Sequence, residues 1–368
     1  MSSASDRAMM RHALGLARRG LGNVWPNPAV GCVIVKDGRV VGRGWTQPGG
    51  RPHAEAMALA QAGPLAAGAE AYVTLEPCAH HGRTPPCAEA LVRAGIVRVV
   101  SALGDPDPRV AGRGHAMLEA AGIAVLQGVM AEEAARLQQG FLCRVVQGRP
   151  MVTLKLASTL DGRIATASGQ SRWITGAQAR RRVHAMRLAH DGVLVGAGTV
   201  RADDPMLDVR GFGAVRQPLR IVAARKGIAP ESRLVRSARQ SPLWVLHGAQ
   251  MSETQRTDLE VAGARCLEVE TGSGGEGIAP GAMMARLAAE GLTRVFCEGG
   301  GQLAASLLGA GCVDRMAGFV AGKIIGAEGR AGIGPMGLGD LGAAPGFVLA
   351  HVERCGEDVL AQWDRAPG

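Results

Sequence analysis

The sequence predicts two α/β domains that meet near residue 148. Apolar runs typical of strands alternate with segments of helical periodicity along the whole chain. The length of 368 residues exceeds the usual size of a single domain. Gly148-Arg149-Pro150 interrupts a helical pattern, and a fresh β-rich run begins at Met151. We therefore expect one domain over residues 1–147 and a second over residues 148–368.

The first half begins with a predicted helix, capped by Ser5 and running to about Arg19. Two strands, 30–35 and 40–45, follow around an Asp37-Gly38 turn, a strong hairpin signal. The remaining predicted elements are a helix over 53–62, a strand over 72–75, a helix beginning at Cys87, a strand over 97–102, a helix over 114–121, a strand over 124–126 and a helix over 131–139.

The second half continues the alternation and ends on an antiparallel pair. Its predicted elements are strands over 151–156, 193–195, 219–223, 243–247, 265–269 and 294–297, helices over 176–189 and 301–308, a glycine-rich loop over 322–342, and closing strands over 347–354 and 359–363. Two glycine turns, 196–199 and 299–301, each follow a strand directly. Such turns let backbone amides approach a phosphate, although neither turn is a Gly-x-Gly-x-x-Gly fingerprint.

The residues with the clearest chemistry lie between His53 and Cys87. His53 precedes Glu55 by two residues, and Cys78 follows a proline. One imidazole and two thiolates leave a fourth position open on Zn²⁺, which is the pattern of a catalytic metal site. The alternative is that the cysteines are ordinary buried thiols and the histidine an ordinary surface group.

A His-x-Glu motif followed by Pro-Cys and a second Cys is the signature of zinc-dependent nucleobase deaminases. Glu55 is the expected proton carrier, and it is close enough to reach a zinc-bound water without binding the metal. The usual Cys-x-x-Cys spacing is replaced here by eight residues between Cys78 and Cys87. This insert carries His80, His81 and Arg83, and we expect it to contact substrate at the mouth of the site.

Charge and composition limit the classes of molecule that the protein is expected to bind. The net charge of +9 is spread over both halves, and aromatic residues make up only 3%, so platforms for stacking nucleic-acid bases are scarce. We expect an anionic small-molecule substrate such as a phosphate and no nucleic acid, although the excess could be only a solvated surface. No apolar run approaches the length of a membrane span and no signal peptide is evident, so we expect a cytoplasmic protein.

Three stretches together resemble the bifunctional pyrimidine deaminase/reductases of riboflavin biosynthesis. They are Asn27-Pro28-Ala29-Val30-Gly31-Cys32-Val33-Ile34, His53-Ala54-Glu55 and the run from Pro77 to Cys87 with its His-His-Gly-Arg-Thr-Pro-Pro insert. The resemblance implies a cytidine-deaminase-like layered α/β domain in the first half. It also implies that His53, Cys78 and Cys87 bind zinc, that Glu55 moves protons, and that Asn27, His80 and Arg83 contact the pyrimidine and its ribose phosphate.

The resemblance extends through the second half, where it implies a dihydrofolate-reductase-like domain that uses NADPH. The implied cofactor residues are Ala157, Trp173, Thr199, Asp203, Gly300, Gly301, Gln302, Leu303, Ala304, Ala305 and Ser306. The implied substrate residues are Ser171, Arg187, Leu207, Arg210 and Glu298, with Arg187 and Arg210 neutralising the phosphate. The resemblance does not indicate which residues bind the adenosine end of NADPH. The sequence also leaves open whether the protein forms a homo-oligomer.

The family resemblance implies hydrolytic deamination of a phosphoribosyl-diaminopyrimidine, followed by reduction of its ribosyl chain to ribityl. A nucleoside or tRNA deaminase with an accessory domain is the first alternative, which the long cysteine insert disfavours. A non-catalytic, zinc-stabilised RNA-binding protein is the second. Glu55 disfavours it, because a structural zinc site needs no such carboxylate.

Overall fold

A computed structural model describes residues 3–81, 85–108, 110–272 and 277–366. The chain divides into two compact units, Met1–Gly148 and Arg149–Gly368. This division lies one residue from the boundary expected between residues 147 and 148.

In its described residues, the first unit has five strands and five α-helices. The strands are β1 (Gly31–Lys36), β2 (Arg39–Trp45), β3 (Glu70–Val73), β4 (Arg98–Ser101) and β5 (Ala124–Leu126). The helices are α1 (Ala4–Ala17), α2 (Ala54–Ala62), α3 (Cys87–Arg93), α4 (Arg113–Ala120) and α5 (Ala131–Gln147).

These strands form one mixed sheet between two layers of helix. The order is β2-β1-β3-β4-β5, antiparallel around β1 and parallel from β3 to β5. Side chains of β1 alternate between the faces: Cys32 and Ile34 pack in the core beneath α2, whereas Val33 and Val35 pack in the core beneath α1. The predicted Asp37-Gly38 hairpin is confirmed, with Lys36 paired to Arg39.

The first helix begins two residues earlier than expected, so the prediction of Ser5 as its cap is wrong. The Ser3 hydroxyl accepts a hydrogen bond from the Asp6 amide at 3.0 Å, and the Asp6 carboxylate accepts one from the Ser3 amide at 2.9 Å. A reciprocal capping box needs an acceptor side chain three residues after the cap. Ser3 has Asp6 there, whereas Ser5 has Ala8.

Helix α5 is also longer than the predicted 131–139. It continues to Gln147 and ends where Gly148 adopts a left-handed φ of 66°. Glycine reaches this conformation without steric cost, which makes it a common helix terminator.

The second unit is built on a larger sheet. Its strands within the described residues are β6 (Met151–Thr159), β7 (Arg163–Ala165), β8 (Gly192–Gly196), β9 (Leu219–Ala223), β10 (Leu243–His247), β11 (Arg265–Glu268), β12 (Arg294–Cys297), β13 (Arg315–Ala321), β14 (Arg330–Ala331), β15 (Phe347–Cys355) and β16 (Asp358–Arg365). Its α-helices are α6 (Ala177–Leu188), α7 (Ala197–Asp203), α8 (Arg233–Arg236), α9 (Glu253–Val261), α10 (Pro280–Ala289) and α11 (Gly301–Gly309).

Nine of these strands form one sheet in the order β11-β10-β9-β8-β12-β6-β13-β16-β15. The strands from β11 to β13 are parallel, and the predicted antiparallel pair, β15 and β16, closes the sheet. Because β8 and β12 are parallel neighbours, their glycine turns emerge at the same sheet edge. Ligands of open parallel sheets bind in crevices at the carboxyl ends of the strands.

Seven elements of the second unit were not predicted: β7, α7, α8, α9, α10, β13 and β14. Helix α9 buries only Leu259, so its apolar periodicity is weak. Strand β13 lies between two other strands yet begins with the charged Arg315. None of the helices in the described residues has the length and apolar character needed to cross a bilayer.

Candidate active sites

The three expected metal ligands lie together in the first unit. His53 is the N-cap of α2 and Cys87 is the first residue of α3, while Cys78 lies in the segment after β3. The His53 Nδ1 atom is 3.7 Å from the Cys78 Sγ and 3.4 Å from the Cys87 Sγ, and all three ligand atoms lie within 4.8 Å of one another. Tetrahedral zinc with ordinary Zn–N and Zn–S bonds places these atoms about 3.6 Å apart. The donor set therefore fits zinc in both chemistry and spacing.

Local hydrogen bonds favour the thiolate of Cys78. The Cys87 thiol and His53 hydrogen-bond to it, and together they lower the pKa of Cys78 to about 4. The backbone amide of Cys87, at the start of α3, also donates to the Cys78 Sγ at 3.3 Å. Helix N-termini attract negative charge, so the fold stabilises the form of the ligand that a metal requires.

Glu55 lies in the first turn of α2 and is buried beside this cluster. Burial raises the pKa of Glu55 to about 7, and the neighbouring Cys78 thiolate adds to the shift. A carboxyl group with a pKa near the working pH can both accept and release a proton.

Glu76 is an important residue of this site that the sequence analysis missed. Its buried carboxylate accepts four backbone N–H groups, those of Asp105 (3.2 Å), Gly112 (3.0 Å), Gly114 (2.9 Å) and His115 (3.3 Å). These bonds join the segment leading to Cys78 to the loop before α4 and to the first turn of α4. The available signal was an acidic residue directly before Pro77-Cys78, at the end of an apolar strand.

The three residues expected to contact the deaminase substrate differ in burial and in contacts, and one of them is not described by the structure. Asn27 is half-buried, and its side chain packs tightly against Gly50, three residues before His53. His80 is half-buried, and its Nδ1 atom is buried with no hydrogen-bond partner among the described residues. An unsatisfied buried imidazole nitrogen is costly unless a ligand pairs with it. Arg83 lies outside the described residues.

In the second unit, the two glycine turns converge. Gly196 precedes α7 and Gly300 is the N-cap of α11. A Cβ placed on Gly300 would lie 3.8 Å from the Thr199 Oγ1, and one placed on Gly196 would lie 3.8 Å from Leu303. The turn at 196–199 was expected to be a loop, but Gly198 and Thr199 belong to the first turn of α7.

The other cofactor residues surround this edge. Gly300 to Ser306 form the N-cap and first turns of α11, where the side chains of Ala304 and Ala305 are buried. The first amides of a helix have no partner within it, so they can bind a phosphate. Ala157 lies near the carboxyl end of β6, and Asp203 ends α7, where its carbonyl accepts a hydrogen bond from Arg172 at 2.8 Å. These features fit a dinucleotide pyrophosphate.

Trp173 is 63% exposed, a large exposure for an aromatic residue. The Arg180 guanidinium lies 4.5 Å over its ring, and Lys323 donates a 2.7 Å hydrogen bond to its carbonyl. All three residues line a cavity of about 450 Å³ that also borders Asp358. The indole is therefore held in place while one side remains open to a ligand.

The reductase substrate residues divide into buried and exposed groups. Arg187 makes a bidentate ion pair with Glu298 (2.5 and 3.0 Å) and donates to the Asp208 carbonyl at 2.6 Å. By contrast, the Arg210 side chain is 72% exposed, with a looser 3.3 Å contact to Asp208. Ser171 is half-buried, and Leu207 is buried with a left-handed φ of 55°. Arg210 is thus the more available cation, because Glu298 already balances the charge of Arg187.

Lys155 is a second residue that the sequence analysis missed. It lies on β6, where its neighbour Leu154 pairs with Cys297, the residue before Glu298. Lys155 is half-buried; burial lowers its pKa, and the attraction of Glu298 partly offsets that effect. The signal was a lone lysine inside an apolar strand, where an unpaired charge is costly.

Comparisons with known proteins agree with this division. A model of the cytidine and deoxycytidylate deaminase zinc-binding region matches residues 3–103, and a model of the RibD C-terminal domain matches residues 150–361. The chain is 42% identical over 371 residues to the riboflavin biosynthesis protein RibD of Escherichia coli K12, covering 96% of this chain and 98% of the relative. It is 40% identical to the RibD of Aquifex aeolicus, with 98% of each chain covered.

Solved structures give the same result over the whole chain. The structure of Acinetobacter baumannii RibD, form 2, superimposes with a TM-score of 0.87 at 38% identity, covering 98% of this chain and 99% of that one. A diaminohydroxyphosphoribosylaminopyrimidine deaminase/5-amino-6-(5-phosphoribosylamino)uracil reductase from Thermotoga maritima superimposes with a TM-score of 0.85 at 34% identity, again covering 98% and 99%. The chain therefore belongs to the RibD family of riboflavin biosynthesis, as a bifunctional enzyme that joins a zinc-dependent deaminase to an NADPH-dependent reductase.

Proposed function

We propose that the first unit deaminates 2,5-diamino-6-(5-phosphoribosylamino)pyrimidin-4-one. We further propose that the second unit reduces the ribosyl chain of the product to give 5-amino-6-(5-phosphoribitylamino)uracil. The observation that carries the first step is the cluster of His53, Cys78 and Cys87 with buried Glu55 beside it. The match to the Thermotoga maritima deaminase/reductase over 98% of the chain supports this choice of substrate.

In the deaminase, the residues have separate roles. His53, Cys78 and Cys87 would hold the zinc ion, which would act as a Lewis acid and lower the pKa of a bound water. Glu55 takes a proton from the attacking water and delivers it to the departing amino group, which leaves as ammonia. Asn27 and His80 hold the pyrimidine. Arg83 is assigned to the ribose phosphate, because a guanidinium matches phosphate oxygens bidentately.

In the reductase, NADPH supplies the hydride for the ribosyl carbon that bears the pyrimidine amine. The turns at Gly196 and Gly300 would hold the NADPH pyrophosphate, and the exposed Trp173 would contact the cofactor. When the ribosyl ring opens, its oxygen must take up a proton. We assign that proton to Lys155, because its pKa is lowered and Glu298 lies beside it. Arg210 binds the substrate phosphate, while Arg187 holds Glu298 in place for the substrate.

Incubation of the purified protein with the diaminopyrimidine phosphate tests both steps. Without NADPH, we expect ammonia and the deaminated ribosylaminouracil. With NADPH, we expect the ribityl product and an equivalent amount of NADP⁺. Reduction of the diamino compound without ammonia release would contradict the proposed order, and no ammonia under either condition would contradict the deaminase.

The boundary between the activities is proposed at residues 147 and 148. Its support is that the compact units divide at Gly148. A fragment of residues 1–147 should keep zinc and deaminase activity and lack reductase activity. Reductase activity in that fragment would contradict the assignment.

We also propose a cytoplasmic homo-oligomer. Eight free cysteines suit a reducing compartment. Strand β15 is an edge of the large sheet and leaves Val348, Leu349 and Val352 more than half exposed. Exposed apolar edges favour pairing with another chain, here a second copy. Sedimentation equilibrium of the purified protein tests this proposal, and a monomer at every concentration would contradict it.

A further inference from the structure

Gly50 occupies a tightly packed turn between the metal cluster and Asn27. This glycine is buried, has a left-handed φ of 85°, and lies three residues before His53. A Cβ at this position would lie 1.7 Å from the Asn27 Nδ2, 2.6 Å from its Cγ and 2.9 Å from its Cβ. Rotation about χ1 could move the carboxamide away, but it would leave the Asn27 Cβ in place. The absence of a side chain at position 50 is therefore what allows Asn27 its observed position.

The backbone on the Asn27 side is restrained. The Asn27 amide donates to the Val24 carbonyl at 3.0 Å, and proline flanks Asn27 on both sides. Immediately beyond, the Thr46 hydroxyl donates to the Pro28 carbonyl at 3.0 Å and accepts from the Val30 amide at 2.9 Å. Asn27 therefore cannot retreat from a side chain at position 50 without breaking several of these bonds.

The turn that carries Gly50 is restrained as well. The Gly50 amide donates to the Gln47 carbonyl at 2.9 Å, the Gln47 amide to the Pro52 carbonyl at 3.0 Å, and the Gly49 amide to the Asn23 carbonyl at 2.8 Å. His53 follows directly as the N-cap of α2. The contact between Gly50 and Asn27 thus joins a metal-ligand segment to the Asn27 segment at a defined separation.

We infer that Gly50 is a positioning residue that sets the Asn27 carboxamide relative to the metal cluster and so controls binding of the pyrimidine edge. This inference rests on the proposed role of Asn27 as a substrate contact. Gly50 touches no reacting atom. Its effect should therefore appear in the KM of deamination, while zinc content and reduction of the deaminated substrate remain unchanged.

The neighbouring Gly49 offers a matched control. Its φ of 76° is close to that of Gly50, but it is exposed and no heavy atom lies within 4 Å of a Cβ built on it. Alanine costs similar backbone strain at both positions, so the difference between Gly50→Ala and Gly49→Ala isolates the contact with Asn27. In the full-length zinc enzyme, we expect Gly50→Ala to raise the deaminase KM about 2- to 13-fold over Gly49→Ala, which corresponds to one uncharged hydrogen bond.

Asn27→Ala separates this inference from the proposed function. An unchanged KM in Asn27→Ala would remove Asn27 from substrate binding. A raised KM in Asn27→Ala together with equal values for Gly50→Ala and Gly49→Ala would overturn the positioning role alone. Loss of zinc from Gly50→Ala would also overturn it, because the turn would then act through His53.

The double variant Asn27→Ala/Gly50→Ala provides a second measurement. Because both changes act on one contact, its KM should equal that of Asn27→Ala within about twofold. If Gly50→Ala alone does not fold, the double variant Asn27→Gly/Gly50→Ala should recover folding, since it lacks all three Asn27 atoms that lie within 3 Å of the new Cβ. A double variant that also fails to fold, or whose KM shows the product of the two single effects, contradicts the inference.

Discussion

The metal cluster and the reductase site are assembled in different ways. The ligands of the cluster fall within 35 residues of chain and occupy two helix starts and the segment between them. The reductase residues come from β6, α6, α7 and α11 and the segments that follow β8 and β12, so they span about 150 residues. The first arrangement depends on local structure, whereas the second requires the parallel order β8-β12-β6.

The two sites also differ in the pKa of their buried carboxyl groups. Glu55 is buried, and its pKa is raised by that burial and by the neighbouring Cys78 thiolate, an effect that the nearby His53 only partly offsets. Glu298 is also buried, but Arg187 pairs with it and Lys155 lies near it, so its pKa stays below the ordinary value despite the burial. For the carboxyl group that must exchange protons, burial outweighs the nearby His53, whereas the one that must remain ionised has both Arg187 and Lys155 as neighbours.

The largest expected effect concerns Glu55. Glu55→Gln preserves size and zinc ligation but cannot accept a proton, so we expect deamination to fall by about 10²- to 10⁴-fold. Reductase activity on the deaminated substrate and the zinc content of the same sample serve as internal controls. Full deaminase activity in this variant would remove Glu55 from its proposed role.

The next largest effect is expected at Lys155, to which we assign proton transfer in the reductase, as we assign it to Glu55 in the deaminase. Lys155→Met keeps the apolar stem and removes the proton donor, so the reductase kcat should fall about 10²-fold with NADPH affinity unchanged. In the wild type, Lys155 acts as an acid and is active while protonated. Reductase activity should therefore decline as pH rises through a pKa below the ordinary lysine value of about 10.4. A pH–rate profile of the reductase, measured with saturating NADPH, tests the role of Lys155. A decline of activity only above the ordinary lysine pKa would contradict that role.

A smaller effect is expected at the exposed end of the reductase site. Removing one charged hydrogen bond to phosphate weakens binding by about 10- to 150-fold. Arg210→Ala should raise the substrate KM by that factor while leaving NADPH affinity and deamination unchanged. Arg256→Ala is a suitable control, because within the described part of the chain the guanidinium of Arg256 pairs with the exposed Glu253 at the surface. Weaker NADPH binding with an unchanged substrate KM would instead assign Arg210 to the cofactor.

The last effect is on the stability of the deaminase scaffold and not on activity. The Arg98 guanidinium hydrogen-bonds to the buried Asp6 carboxylate and holds its pKa well below the ordinary value. A lowered folded-state pKa stabilises the protein above the unfolded-state pKa of about 3.9, and this contribution is lost as pH falls through the folded-state value. Asp6→Asn should therefore lower the free energy of unfolding by about 1.5–3 kcal/mol near neutrality, with a smaller loss in acid.

Urea unfolding, followed through loss of deaminase activity, measures this change. The exposed Glu119→Gln is its control. A loss of stability in Asp6→Asn that does not depend on pH would show that charge plays no part.

The sequence alone was sufficient for the metal cluster. Zinc accepts few ligand types, and His53, Glu55, Cys78 and Cys87 carry that chemistry in a short, specific pattern. Most strands were also predictable, because buried strands have continuous apolar runs. The N-cap Ser3 could have been read from its pairing with Asp6, whereas α9 could not be read from apolar periodicity, because Leu259 is its only buried residue.

Tertiary structure decided which polar groups meet across the chain. Lys155 lies beside Glu298 only because β6 and β12 are adjacent in the sheet. Glu76 binds four amides that lie 29 to 39 residues further along the chain, in the loop before α4 and in its first turn. It also decided that Gly50, rather than Gly49, is in contact with Asn27, although both glycines have positive φ. Sequence periodicity reports which face of an element is apolar, but not which distant residue that face meets. These pairings depend on strand order and backbone packing, which arise only when the whole domain folds.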